Sequence, residues 1–185
     1  MSFLMFPDNS VLVNFAHMDR MSLFEELVQG RGRWTATVAE ECEMSSEQPG
    51  LEGLAEVKRI LGEPLRLSST QEYLDTEAIR IQMSKPGDHR FRNLGEAETL
   101  AIIVNRADSP GAFVTDDQSA LRKAKELGVR TCSTYDLITL AVRAQRLELL
   151  DGWNDIATLR AMPRFLPGAT NFFAFQQRCT RESAA

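Results

Sequence analysis

Short apolar runs alternate with longer stretches of helical periodicity, and this alternation constrains the fold of the chain more than any other feature. Residues 3–6, 34–37, 112–115 and 129–133 have the length and composition of buried strands, with a further short run at 65–67. Between them, residues 11–29, 50–61, 70–83, 95–104, 119–128 and 134–150 read as helices, and a further helix is expected from Val38 onward. Ser10 is the expected N-cap of the first helix and Gly30 its stop. Strands alternating with helices predict an α/β fold, with a central, mainly parallel sheet and helices on both faces. The helix at 95–104 is the most apolar and is expected to be buried on most sides.

A chain of 185 residues is long enough to bury a full core without a disulfide or metal staple. Cys42, Cys132 and Cys179 are odd in number and lack ligand spacing, which argues against a disulfide framework and a zinc site. No apolar run reaches the roughly 18 residues of a membrane span. The apolar start has no basic segment and is cut by Pro7 and Asp8, so it is not read as a signal peptide, and a cytoplasmic location is expected. A net charge of −5 argues against nucleic-acid binding through bulk positive charge, but not against an enzyme with clustered acids.

The acids fall where strands end. Asp8 follows the first run, Glu41 lies just after the second, Glu96 and Glu98 open the apolar helix, and Asp116 and Asp117 close the run at 112–115. In an open parallel sheet the C-terminal strand ends form one crevice. Four separate segments can thus bring carboxylates together there. Two like charges about 4 Å apart repel by about 4 kcal/mol at an effective dielectric near 20, so such a cluster takes up protons or holds a cation. Hard oxygen donors without His or Cys suit Mg²⁺ or Mn²⁺. A cation so held suits hydrolysis of a phosphodiester. Each acid also has an ordinary role open to it: Asp8 as a helix cap, Asp116-Asp117 as the cap of the helix after them, Glu40 and Glu43 as surface acids.

Geometry limits the set. Glu96 and Glu98 lie about 200° apart around a helix, and adjacent aspartates in an extended segment point to opposite sides. One direct ligand per segment is expected, with its neighbour behind it or on a second metal.

The same residues resemble a PIN-domain nuclease. Pro7-Asp8-Asn9-Ser10-Val11-Leu12 is similar to that family's opening Asp-x-Ser, and Thr37-Val38-Ala39-Glu40-Glu41-Cys42 to its Val-x-x-Glu, which selects Glu41. Leu94-Gly95-Glu96-Ala97-Glu98-Thr99 is similar to a Leu-Gly-x-x-Glu form of the family, and Thr115-Asp116-Asp117 with the helix, glycine and strand after it to its ending. The resemblance covers roughly residues 3–145. It implies a three-layer sandwich and a Mg²⁺- or Mn²⁺-dependent endoribonuclease, of the VapC-like branch in which many members are toxins held by a cognate antitoxin. By that reading the metal set is Asp8, Glu41, Glu96, Glu98, Asp116 and Asp117. The catalytic set is Asp8, Glu41, Glu98 and Asp117, with Glu98 only slightly preferred to Glu96, and Asp117 preferred for its Thr-x-Asp spacing. An RNA substrate, an antitoxin and a homodimer are the expected partners. The alternative is a PIN-like binding module without turnover.

Other acid-bearing folds fit less well. A receiver domain places its Asp pair after the first strand, a haloacid-dehalogenase-like phosphatase needs an acid where Ser10 stands, and no GxxxxGK[ST] loop is present. His17 and His89 are isolated, and Arg90 and Arg92 are candidates for an RNA backbone. The expected division is a nuclease domain at 1–145 and a helical, aromatic extension at 146–185, whose Phe165, Phe172, Phe173 and Phe175 pack back on the domain or meet a partner.

Overall fold

In a computed structural model, residues 3–106, 110–162, 166–168 and 170–180 are described; Phe165 lies outside them. The chain is mixed α/β. Three short strands, β1 (Leu4–Pro7), β2 (Gly111–Val114) and β3 (Arg130–Cys132), form a parallel sheet in the order β1-β2-β3. Phe6 lies opposite Phe113 across the first pair, and Val114 opposite Cys132 across the second.

Alternate residues of a strand face opposite sides, and here both sides are apolar. Phe6 and Phe113 face a core completed by α5 (Thr70–Met83), α6 (Leu94–Asn105) and α7 (Gln118–Glu126), through Ile79, Met83, Leu100, Ile102 and Ala124. Val114, with Met5 and Cys132, faces the larger core. That core is built from α1 (Asn9–His17), α2 (Met21–Val28), α3 (Ala36–Ser46), α4 (Val57–Leu61), α8 (Thr134–Arg143), α9 (Leu149–Ala161) and α10 (Phe172–Thr180).

The sheet is smaller than expected. Residues 34–37 and 65–67 form no strand but share a single parallel bridge, Thr35 with Leu65, and Gly32 makes another with Met5. The physical reason is the early start of α3: Thr35 is already its N-cap, so the extended segment ends before a ladder can form. The predicted first helix is also two. After α1 the chain turns through Asp19 at φ 56°, with Asp19 N donating to Ala16 O and Arg20 N to Phe15 O. These bonds form a Schellman stop without glycine, which Asp tolerates better than most residues. Residues 50–61 are likewise not one helix, but a 3-10 turn (Glu52–Glu56) leading into α4.

The described part of the extension shares the larger core. Phe175 is fully buried, edge-on to Tyr135 at 5.8 Å between ring centres, and Phe172 meets Trp153 at 5.9 Å. Phe173 is exposed. Arg20 donates to Asp155 at 3.0 Å, tying the start of α2 to α9.

Candidate functional site

β1 delivers Asp8 to the C-terminal end of the sheet. Its backbone N–H donates to Val114 O at 2.8 Å, so the residue is fixed beside β2. Asp8, not Ser10, caps α1: one carboxylate oxygen accepts from Asn9 N at 2.8 Å. Ser10 instead donates its hydroxyl to the other oxygen at 2.7 Å. Thr115 Oγ1 approaches that same oxygen at 3.4 Å. Asp8 therefore caps a helix and stands in a cluster of acids at once.

Glu41 reaches the same place from α3, and Glu96 from the first turn of α6. Asp8, Glu41 and Glu96 line one polar cavity of about 280 Å³, together with Asn9, Ser45 and Gln48. Gly95 makes the approach of α3 to α6 possible. A Cβ there would lie 3.3 Å from each Glu41 carboxylate oxygen and 3.2 Å from a Val38 methyl.

Crowding shows in the proton affinities. Burial, then the charges of Asp8, Glu98 and Glu40, push the Glu41 carboxyl up to about 7. Burial, then the charges of Asp8, Glu41 and Asp117, push Glu96 up to about 8. Burial also raises Asp8, against the hydrogen bonds from Ser10 and Asn9. These groups resist ionisation together, as close like charges with little water must.

The members of each pair part company. Glu98 is buried, and its carboxylate accepts from Thr37 N at 3.1 Å, securing the first turn of α3. Glu96, not the slightly preferred Glu98, is the member that lines the acid cavity. This follows from the 200° between the two positions: with Glu96 turned to Asp8, Glu98 must turn away. Asp116 is buried and accepts from Asn14 Nδ2 at 2.8 Å, from Thr134 N at 2.9 Å and from Thr134 Oγ1. It thus ties the end of β2 to α1 and α8. Asp117 is exposed and caps α7 through Ala120 N at 2.8 Å, while its charge reaches both Asp8 and Glu96.

Sequence reasoning did not single out Asn14, Thr134, Ser45 or Gln48, whose types are too common in loops and caps to signal a site. Gly95 within a helix was the one available signal of close approach. Arg90 and Arg92 are engaged in their own loop, Arg90 over the Phe91 ring at 4.4 Å and Arg92 with Asp88 at 3.5 Å.

Among the described residues, no group of three or more His, Cys, Asp or Glu side chains stands ready to hold a metal ion. The donor chemistry of the cavity nonetheless suits a hard cation. Its acids are all carboxylates, desolvated and mutually repelling, and a cation would relieve both costs. Comparison of the chain with protein-family models, with characterised proteins and with solved structures gives no match. Among the described residues, no helix is long and apolar enough to cross a membrane.

Proposed function

We propose that this chain is a PIN-like, divalent-metal-dependent endoribonuclease. One observation carries the reading: Asp8, Glu41 and Glu96, from three distant segments, converge on one polar cavity at the C-terminal end of β1. Surface acids serving only as helix caps would have no reason to meet. Asp8, Glu41 and Glu96 would hold Mg²⁺ or Mn²⁺, with Asp117 at the margin. When bound, the cation activates water and offsets charge growing on the phosphoryl group.

The chain's own groups set the frame. Asn9 N and Ser10 Oγ orient the two oxygens of Asp8. Thr115 Oγ1 accepts from Asp117 N at 3.1 Å and so holds the segment after β2 beside Asp8. Asp116, with Asn14 and Thr134, anchors that segment from behind. Glu98 holds α3 by its first turn at Thr37, four residues before Glu41 on the same helix.

Glu98, Asp116 and Asp117 are committed to structural hydrogen bonds with Thr37 N, Thr134 N and Ala120 N, which fits a second reading, a binding module without turnover. Incubating a single-stranded RNA in excess over the protein with Mn²⁺ separates the two. More than one cut per chain supports the enzyme; intact, bound RNA supports the module. The toxin role and its antitoxin rest on the resemblance, and their test is growth arrest on expression of the chain, lost in Asp8→Asn.

A further inference from the structure

A second cavity, of about 350 Å³, borders Glu98 as the first borders Glu96. Arg66, Leu67, Tyr73, Leu94 and Thr37 also line it. Three features distinguish it. Tyr73 is 58% exposed although it stands on the wall of a cavity. Leu67 and Leu94 are half-buried and apolar. The exposed Arg66 guanidinium has no hydrogen bond or ion pair among the described residues, whereas its backbone carbonyl is held by Arg106 at 2.8 Å. The main chain at Arg66 is therefore anchored while its charge is uncommitted.

An aromatic face, an apolar lining and an uncommitted guanidinium are the parts that recognise one nucleotide: the ring stacks with the base and the fork holds the phosphate. Position supports the same occupant. Thr37, on this cavity, and Glu41, on the acid cavity, lie four residues apart on α3, about 6 Å along the axis. That is within the reach of neighbouring nucleotides on one strand. In a chain of net charge −5, an uncommitted cation next to clustered acids has a clear use in drawing in a polyanion.

We propose that this cavity is a nucleotide subsite for single-stranded RNA, adjoining the phosphate to be cut, with the base on Tyr73 over Leu67 and Leu94 and the backbone on Arg66. The proposal rests on the ribonuclease reading for its substrate class. It is tested in the Asp8→Asn background, where binding is measured apart from cleavage, with a short fluorescent single-stranded RNA as probe. Adding Arg66→Ala or Tyr73→Ala should weaken binding about tenfold, the scale of one lost stack or contact. Arg66→Ala should also lower the slope of log affinity against log salt by about one, and Tyr73→Ala should leave it unchanged. Both side chains are exposed, and unchanged melting temperatures will show that the fold is intact. Affinity and salt slope equal to those of Asp8→Asn alone would overturn the subsite, as would no detectable binding by Asp8→Asn itself. Cleavage by the unsubstituted protein is scored separately. If it cuts RNA while Arg66→Ala and Tyr73→Ala leave binding unchanged in the Asp8→Asn background and cleavage unchanged in the otherwise unsubstituted chain, the subsite fails alone. If it never cuts but Arg66→Ala weakens binding, the ribonuclease reading fails and the subsite stands.

Discussion

Gly95 on α6 faces the carboxylate of Glu41 on α3 so closely that an added Cβ would lie 3.3 Å from both of its oxygens. The two helices therefore meet at the acid cavity through a residue without a side chain. Glycine inside a helix costs about 1 kcal/mol relative to alanine, so its presence here reflects packing and not helix stability.

Gly95→Ala is accordingly a probe of the site. The gain in helix propensity offsets the tighter contact with Val38 and Glu41, and the melting temperature should change by only a few degrees. The Glu41 carboxylate must move, so RNA cleavage should fall by about tenfold or more. Melting and single-turnover cleavage, measured on the same preparation, check this. Full activity at unchanged stability would show that the position of Glu41 does not matter.

Stability in chelator should fall as pH rises. Unfolded glutamates titrate near 4.5, whereas burial and the neighbouring carboxylates push Glu41 up to about 7 and Glu96 up to about 8 in the folded chain. Between these values the folded state binds more protons than the unfolded state, so deprotonation favours unfolding. The raised carboxyl of Asp8 acts in the same direction. The hydrogen bond and charge of Arg106, against burial, hold Glu72 down at about 2, so it stays ionised across this window and adds no slope. Melting in EDTA from about pH 5 to about pH 8 should show the decline, and Glu96→Gln should flatten it. A rise in melting temperature over that range would contradict the acid cluster.

Amide substitutions should separate Glu96 from Glu98. Glu96→Gln removes a charge from the crowded cavity, so the metal-free protein should melt at the same temperature or higher while cleavage falls about 10²-fold or more. Glu98→Gln weakens the bond to Thr37 N at the start of α3 and should cost about 1 kcal/mol of stability with a smaller loss of cleavage. Equal and severe losses of cleavage from both would mean that both carboxylates act in the reaction.

The α/β class was legible because its signals are local. The helix at 70–83 appears with those same bounds, and the runs at 112–115 and 129–133 become β2 and β3 within a residue or two. The failures come from competition that composition hides. Trp34 and Thr35 read as strand residues, but Thr35 already stands at the N-cap position of α3 and the segment is left with one bridge. The break at Asp19 carries neither glycine nor proline, so no local signal marked it. At the site, strand ends located the acids, but which of Glu96 and Glu98 faces the cavity depends on how α3 and α6 pack. That contact is long-range, and periodicity along one helix cannot supply it.

The most direct test of the account is RNA cleavage by the unsubstituted chain and by Asp8→Asn, each with EDTA and with Mn²⁺ added back. Asparagine can still accept from Asn9 N as a helix cap, and the Ser10 and Thr115 hydroxyls can turn to accept from its amide, so the fold should be retained. The unsubstituted chain should cut RNA only with the metal, and Asp8→Asn should lose about 10²-fold or more of that activity without a fall in melting temperature. Cleavage that persists in EDTA, or an Asp8→Asn protein that melts lower yet cuts at the full rate, would contradict it.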